Sequence, residues 1–213
     1  MLLLDSADVE AARRAAGLGF IRGVTTNPTL VAASGRPAEA VIPELVDVVA
    51  GTVFYQLTAE APAAREAEAR RFAQLRPGRV GIKVPTTTEN LALVARLVAD
   101  GMTCAMTAIF SPGQALLASE AGASFVIPYV NRTTRLYGDG PGLVREMRQV
   151  IDAGGSPMRI LAASVKSPEE AVASLLAGAH DLTLPLAVIE ALGEHPGSLA
   201  AIDEFRAAAR RAG

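Results

Sequence analysis

One lysine lies inside a predicted strand of a chain that otherwise uses arginine for its positive charge. Of the 20 basic residues, 18 are arginines and two, Lys83 and Lys166, are lysines. Strand alternation puts Lys83 on the face of Gly81, opposite the apolar Ile82 and Val84. A buried amine has a lowered pKa and keeps a neutral, nucleophilic fraction near pH 7, whereas a guanidinium stays charged. Lys83 is therefore a candidate for Schiff-base formation with a carbonyl compound. Chance and a water-facing edge lysine are the alternatives.

Hydrogen-bonding or ionisable side chains also end seven of the predicted strands. They are Asp5, Thr25 with Thr26 and Asn27, Gln56, Lys83, Thr107, Tyr129 and Ser164. Each of them alone is better explained as a loop-entry residue that meets solvent. Because the carboxyl ends of parallel strands lie together at one end of a barrel, seven such residues favour one shared pocket.

The elements that must position these residues alternate between strand and helix along the chain. Short apolar runs bounded by Gly, Pro and Asp predict eight strands. They lie near Leu2–Asp5, Phe20–Thr25, Thr52–Leu57, Arg79–Val84, Met102–Thr107, Ser124–Val130, Arg159–Ala163 and Asp181–Leu184. Eight such units predict an α/β fold, a parallel (β/α)8 TIM barrel. A doubly wound open sheet is the alternative, but no G-x-G-x-x-G follows the first strand.

Residues 1–213 are predicted to form one barrel domain with an extra C-terminal helix at about 198–212. Leu199, Ile202, Phe205 and Ala209 recur at helical spacing along that helix. A stripe of this kind packs on the barrel itself or on a neighbouring subunit. The stripe therefore favours a homo-oligomer.

Two helix starts carry capping signals. Thr86 followed by Glu89 fits a capping box, which predicts Thr86 as an N-cap. Ser167 followed by Pro168 fits an N-cap with proline at the first helical position. Both helices follow strands that carry candidate site residues.

Other residues near the predicted pocket suit acid–base and phosphate chemistry. Asp5 would move protons during imine formation or would form a salt bridge with the lysine amine. Tyr129 would act in catalysis or would bond its hydroxyl within the core. Arg132, with Ser164 and Lys166, would bind a phosphate through charge-assisted hydrogen bonds or would remain a solvated loop charge.

Composition and charge exclude several classes of protein. The chain is 50% hydrophobic with a net charge of −2, which provides a large core but no basic surface for nucleic acid or a membrane. No apolar run approaches the roughly 20 residues of a membrane span, and the N-terminus lacks the basic start of a signal peptide. The single Cys104, facing the helices, and the widely spaced His180 and His195 are interpreted as structural. A cytoplasmic protein without a bound metal is expected.

Five motifs resemble those of the small transaldolases and fructose-6-phosphate aldolases, in the same order across the whole chain. They are Gly23-Val24-Thr25-Thr26-Asn27-Pro28, Ile82-Lys83-Val84-Pro85, Pro128-Tyr129-Val130-Asn131-Arg132, Leu161-Ala162-Ala163-Ser164 and Thr183-Leu184-Pro185. The resemblance implies a parallel eight-stranded barrel whose strand-four lysine, here Lys83, is the nucleophile. It also implies roles for Asp5, Asn27 and Thr107, and assembly into pentameric rings that pair as decamers.

Two positions distinguish the enzymes within this family. Transaldolases carry glutamate on strand three and usually phenylalanine before the Val-x-Arg turn, whereas the aldolases carry glutamine and tyrosine. Gln56 and Tyr129 therefore resemble the aldolases. The chain departs from the family pattern at Ala187, where an acid is usual, and in its short C-terminal helix. The bulky Phe54-Tyr55 pair before Gln56 is a third departure.

The resemblance implies a class I aldolase that reversibly cleaves fructose 6-phosphate to dihydroxyacetone and glyceraldehyde 3-phosphate, with no metal or organic cofactor. The expected catalytic residues are Lys83, Tyr129, Asp5, Gln56 and Thr107. The expected substrate-binding residues are Asn27, Thr25, Ser164, Arg132 and Lys166. A transaldolase that transfers a dihydroxyacetone unit between sugar phosphates is the alternative within the family. A phosphosugar-binding barrel without catalysis is a further alternative, although binding alone would tolerate arginine in place of Lys83.

Overall fold

The computed structural model describes residues 1–212, in which eight parallel strands form a closed barrel surrounded by helices. The strands are β1 (Leu2–Asp5), β2 (Ile21–Thr25), β3 (Thr52–Gln56), β4 (Val80–Pro85), β5 (Cys104–Ile109), β6 (Phe125–Pro128), β7 (Arg159–Ala162) and β8 (Asp181–Leu184). The helices are α1 (Val9–Gly17), α2 (Pro28–Ala33), α3 (Ala38–Val48), α4 (Pro62–Leu75), α5 (Thr88–Ala99), α6 (Pro112–Glu120), α7 (Val130–Tyr137), α8 (Gly140–Ala153), α9 (Pro168–Leu176), α10 (Leu186–Leu192) and α11 (Pro196–Ala212). Gly213, the last residue of the predicted domain, lies outside the described residues.

Each strand pairs in parallel with the next one along the chain, and β8 pairs with β1 to close the barrel. The predicted (β/α)8 barrel with an extra C-terminal helix is therefore confirmed. Several strand bounds differ from the predicted ones: β5 runs from Cys104 to Ile109, and β6 ends at Pro128 rather than Val130. Pro128 has no N–H to donate, the pairing beyond it is an isolated bridge between Tyr129 and Ala163, and Val130 already begins α7.

Apolar side chains cover both faces of the barrel wall. One face packs against the helices, and fully buried residues such as Val24, Ile82 and Met106 belong to this outer layer. The other face fills the barrel interior with a separate cluster, made up of Leu3, Phe54, Ala105, Ile127, Leu161 and Ala163. Burial on both faces explains why the strands are nearly continuous apolar runs.

The barrel interior is filled beneath the carboxyl ends of the strands. The Phe54 ring takes the space beside Gly81, where an added Cβ atom would lie 2.6 Å from it. The same ring packs edge-on against Phe125, with the ring centroids 5.4 Å apart. At the amino-terminal end of the barrel, buried Asp181 accepts a 2.7 Å hydrogen bond from the Arg159 guanidinium. The space for a ligand is therefore at the carboxyl ends.

Side-chain hydrogen bonds fix the loops that leave β4 and β7. The predicted Ser167 N-cap is confirmed, because its hydroxyl accepts a backbone N–H at the start of α9. The predicted Thr86 N-cap is wrong by one residue, since Thr87 caps α5 by accepting the Asn90 N–H at 3.1 Å. Thr86 instead donates its hydroxyl to the Thr107 carbonyl at 2.8 Å, which links the ends of β4 and β5.

The C-terminal helix α11 begins two residues earlier than predicted, at Pro196. The His195 ring accepts the Gly197 N–H at 3.1 Å and so stabilises the first turn. The apolar stripe of α11 faces outward, with Phe205 71% exposed and Leu199 54% exposed. No helix in the described part of the chain has both the length and the apolar character that crossing a membrane requires.

Candidate active site

A cavity of about 450 Å³ opens at the carboxyl ends of the strands. Eight of the ten predicted site residues line it: Asp5, Asn27, Gln56, Lys83, Tyr129, Arg132, Ser164 and Lys166. The other two, Thr25 and Thr107, are fully buried behind the residues of the cavity wall. Side chains that are far apart in the sequence therefore face one common space.

Lys83 enters this cavity from β4. Its side chain is only 3% exposed, and its ammonium donates a hydrogen bond to the Thr26 carbonyl at 2.9 Å. Burial lowers the pKa of Lys83 to about 8, and the nearby Asp5 carboxylate opposes part of that shift. Near neutral pH, the neutral nucleophilic fraction is therefore far larger than for an exposed lysine.

The carbonyl that accepts this bond belongs to a fully buried residue directly after β2. Thr26 donates both its N–H and its hydroxyl to the Phe54 carbonyl, at 3.0 and 2.8 Å. These two bonds hold the Thr26 peptide in one orientation and keep its carbonyl directed at the Lys83 amine. No sequence signal identifies this acceptor, because a motif does not report the direction of a backbone carbonyl.

Asp5 ends β1 close to the amine. Its carboxylate accepts the Thr25 hydroxyl at 2.9 Å, and Thr25 in turn shares a 2.6 Å hydrogen bond with Thr183 of β8. Among the described residues Asp5 forms no direct ion pair with Lys83, so the salt-bridge alternative is not realised. Burial raises the pKa of Asp5, while Lys83, the Thr25 hydroxyl and Lys166 act to lower it. A carboxyl group with a raised pKa is suited to accept and return a proton.

Tyr129 follows the last residue of β6 and is held from three sides. The Thr107 hydroxyl donates to its phenolic oxygen at 3.2 Å, and the Arg132 guanidinium lies 4.7 Å from the ring centroid. Phe110 packs edge-on against the ring with a centroid distance of 6.0 Å. A phenol that is fixed in this way is suited to proton transfer at one defined point of the cavity.

Gln56 carries a buried amide oxygen to which no donor within residues 1–212 forms a hydrogen bond. An unpartnered buried acceptor costs about 1–3 kcal/mol, so such an atom usually binds a water or a ligand. Glu68 of α4 fixes the loop after Gln56, since its carboxylate accepts the Tyr55 hydroxyl and the Thr58 and Ala59 N–H groups. Gln56 is therefore held at the cavity wall with one acceptor unused.

Two non-glycine residues beside the site have left-handed backbone conformations. Ser164 has a φ of 57° just beyond β7, and Ala108 has a φ of 58° in a bulge of β5. Such conformations cost on the order of 1–3 kcal/mol and cluster at functional sites. The bulge interrupts the pairing of β5 with β6 directly after Thr107, the residue that contacts Tyr129. Sequence reasoning missed both conformations because neither residue is glycine.

The mouth of the cavity carries an amide and two cations. Asn27 caps α2 by accepting the Leu30 N–H through its side-chain oxygen at 3.0 Å, so its NH2 group is the end that can donate to a ligand. Arg132 on α7 and Lys166 in the loop after β7 are exposed side chains of the cavity wall. Two cations at a cavity mouth suit an anionic group such as phosphate.

The residues interpreted as structural lie away from this cavity. Cys104 is fully buried between the strands and the helices, as predicted, and burial raises the pKa of its thiol to about 12. His180 accepts the Ile160 N–H through Nδ1 at 2.9 Å. In the part of the chain that the structure describes, no group of three or more His, Cys, Asp and Glu residues is arranged to bind a metal ion.

Comparisons with known proteins agree on one family. Residues 2–213 match the family described as Transaldolase/Fructose-6-phosphate aldolase. The chain is 39% identical over 204 residues to a probable transaldolase of Symbiobacterium thermophilum, an alignment that covers 96% of this chain and 94% of the relative. It is 41% identical over 202 residues to a probable transaldolase of Geotalea uraniireducens, with 95% and 94% covered.

Solved structures of more distant proteins share the fold. A mandelate oxidase superposes with a TM-score of 0.62 at 15% identity, over 88% of this chain and 63% of the oxidase chain. An identity this low supports the barrel fold alone. The family match and the two relatives extend over nearly the whole length of the chain. This chain therefore belongs to the transaldolase/fructose-6-phosphate aldolase family of enzymes.

Proposed function

We propose that the protein is a class I aldolase that reversibly cleaves fructose 6-phosphate to dihydroxyacetone and glyceraldehyde 3-phosphate, with Lys83 as the Schiff-base nucleophile. One observation carries the proposal. The Lys83 amine is buried with its pKa lowered to about 8, in a cavity that it shares with Asp5 and Tyr129. A barrel that only bound phosphosugars would have no use for a desolvated amine.

The first step forms the imine. Lys83 Nζ attacks the C2 carbonyl of the sugar, and the amine is oriented beforehand by its 2.9 Å bond to the Thr26 carbonyl. Asp5, whose pKa is raised by burial, moves protons while the carbinolamine loses water. The protonated imine then accepts electrons from the neighbouring carbon–carbon bond.

The second step breaks the C3–C4 bond. We assign removal of the C4 hydroxyl proton to the Tyr129 phenol, which accepts it while it passes its own proton to a water held by Gln56 and Thr107. The assignment is supported by the Thr107–Tyr129 hydrogen bond and by the unpartnered Gln56 oxygen. The electron pair of the broken bond enters the imine to give an enamine, and glyceraldehyde 3-phosphate leaves. Protonation of the enamine at C3 and hydrolysis of the imine release dihydroxyacetone and regenerate Lys83.

The remaining site residues bind the substrate in this proposal. Arg132 and Lys166 hold the phosphate through charge-assisted hydrogen bonds. The Asn27 NH2 group and the Ser164 hydroxyl orient hydroxyls of the three-carbon unit. Thr25, which is fully buried, contributes by holding the Asp5 carboxylate at 2.9 Å.

A transaldolase is the second candidate, and the names of the two relatives favour it. Both reactions use the same imine, so the difference lies in how protons move beside it. The neutral Gln56 amide cannot ionise and can only hold a water, whereas a glutamate at this position would be an acid–base group of its own. The Gln56–Tyr129 pair therefore supports release of the three-carbon unit to solvent.

A coupled assay decides between the two reactions. It measures free dihydroxyacetone released from fructose 6-phosphate against transfer to erythrose 4-phosphate in the same preparation. We expect release to dominate in the wild-type enzyme and Gln56→Glu to increase transfer. Wild-type transfer that is much faster than release would assign the transaldolase activity instead.

Assembly and location form part of the same proposal. The exposed Phe205 and Leu199 on α11 support a homo-oligomer, because large apolar side chains in a row are usually covered by another subunit. The pentamer or decamer implied by the family resemblance is the expected assembly, and the cytoplasm is the expected location.

A further inference from the structure

Glu170, in the first turn of α9, links two segments of the cavity wall. One oxygen of its half-buried carboxylate accepts the side-chain NH2 of Asn131 at 2.5 Å, and the other accepts the Lys166 N–H at 2.7 Å. Asn131 directly precedes Arg132 on α7. A single carboxylate thus connects the two segments that carry the cations of the cavity mouth.

We propose that Glu170 is a positioning residue that sets the separation of Arg132 and Lys166 and so determines selectivity for phosphate-bearing substrates. The inference rests on the proposed function, in which these two cations bind the phosphate. Glu170 itself contacts neither the phosphate nor the reacting atoms in this arrangement.

The two segments are joined by few other bonds near the cavity. The Val130 and Asn131 N–H groups donate to the Ala163 and Ser164 carbonyls at 2.9 and 3.0 Å. Beyond that point the left-handed Ser164 turns the chain out of β7. Glu170 therefore secures the backbone of Lys166 just where the strand ladder stops.

Helix capping alone does not explain this glutamate. Ser167 caps α9, and a glutamate three residues later would ordinarily bond the N–H of the cap residue. Glu170 instead bonds the N–H of Lys166, one residue before the cap, and uses its second oxygen on α7. The neighbouring Glu169 lies in the same helical turn and is exposed, so it offers a matched control for general charge effects.

The carboxylate accepts both bonds because Asn131 and Lys166 each present an N–H donor to it. Glutamine at position 170 would keep both bonds after rotation of the Asn131 amide, which also carries an acceptor oxygen, whereas alanine removes both acceptors. Charge alone predicts the opposite result, because removing a negative group beside two cations would strengthen phosphate binding. The direction of the change in Glu170→Ala therefore separates positioning from simple electrostatics.

The test measures kcat and KM for glyceraldehyde 3-phosphate and for glyceraldehyde, with dihydroxyacetone as the donor. We expect Glu170→Ala to raise KM for the phosphorylated aldehyde and to lower the preference for it, in kcat/KM, about tenfold. Glu169→Ala should leave this preference unchanged. Asn131→Ala removes the other end of the link and should give the same loss, so it serves if Glu170→Ala does not fold.

The outcomes separate this inference from the proposed function. An unchanged or increased preference for the phosphorylated aldehyde in Glu170→Ala overturns the role of Glu170. If Arg132→Ala abolishes the preference, the phosphate assignment stands and only the positioning role is lost. If Arg132→Ala also leaves the preference unchanged, the phosphate assignment fails as well. In an Arg132→Ala background, Glu170→Ala should add less than about a twofold further loss, because linked residues are not additive.

Discussion

Replacement of Lys83 by methionine is expected to stabilise the folded protein at neutral pH. The folded state holds an ammonium group that is 3% exposed, and burial lowers its pKa from 10.5 to about 8. Since one pKa unit corresponds to about 1.4 kcal/mol, the shift lowers the free energy of unfolding at pH 7 by about 3 kcal/mol. Methionine fills a similar volume and removes this penalty. It also leaves the Thr26 carbonyl without its donor, and this loss offsets about 1 kcal/mol of the expected stabilisation.

The effect depends on pH with a defined sign. Because the folded pKa lies below the unfolded one, the unfolded chain binds more protons between about pH 8 and 10.5. The free energy of unfolding of the wild-type protein therefore increases as the pH rises through that window, because the destabilising effect of the buried ammonium is lost. The destabilisation caused by the buried Lys83 ammonium is complete below pH 8 and disappears above pH 10.5. The net gain from Lys83→Met should be about 1–2 kcal/mol at pH 7 and about zero or negative at pH 10.

Urea denaturation at pH 7 and pH 10, at one protein concentration, measures this difference. Lys166→Met is the matched control, because the exposed Lys166 is the other lysine of the chain. The control should change the free energy of unfolding by less than about 0.5 kcal/mol at either pH. A loss of stability in Lys83→Met at pH 7, or a gain that does not shrink toward pH 10, would refute the claim that the fold holds this amine at a cost.

Three further predictions concern phosphate binding, proton transfer and assembly. Arg132→Ala should lower kcat/KM for glyceraldehyde 3-phosphate about 10- to 150-fold relative to that for glyceraldehyde, because a hydrogen bond to a charged group contributes about 1.5–3 kcal/mol. Equal losses for the two aldehydes in steady-state kinetics would remove Arg132 from this role. Tyr129→Phe should lower aldol cleavage about 10²- to 10⁴-fold with an unchanged circular dichroism spectrum, whereas near-wild-type cleavage would contradict proton transfer by Tyr129. Light scattering should give a multiple of the 22.0 kDa chain mass, since Phe205 is exposed on α11, and a monomer at micromolar concentration would contradict the homo-oligomer.

Strand–helix alternation was sufficient to predict the barrel, whereas the ends of the strands and helices were predicted less accurately. The predicted end of β6 was wrong because the backbone turns into α7 at Val130 while the apolar run continues, although Tyr129 still forms an isolated bridge with Ala163. The N-cap of α5 was wrong because Thr86 and Thr87 offer the same hydroxyl. Which of the two caps the helix depends on the nearby Thr107 carbonyl, which only the folded chain brings close.

The residue types at the strand ends predicted most of the cavity wall. A lysine within an apolar strand indicated Lys83, because strand parity and barrel closure together require its burial. The surrounding bonds could not be predicted in this way. The Thr26 carbonyl, the strained Ser164 backbone and the Glu170 link are set by backbone direction and by contacts between distant segments. None of these features produces a periodic or compositional pattern in the sequence.

Borohydride reduction in the presence of dihydroxyacetone, followed by intact mass and peptide mapping, tests the Lys83 imine most directly. The wild-type enzyme should gain one reduced three-carbon unit per chain, located on Lys83. Lys83→Arg keeps the charge but cannot supply a neutral amine, so it should remain folded and give no adduct. An undiminished adduct in Lys83→Arg, or an adduct mapped to Lys166, would contradict the role of Lys83 as the nucleophile.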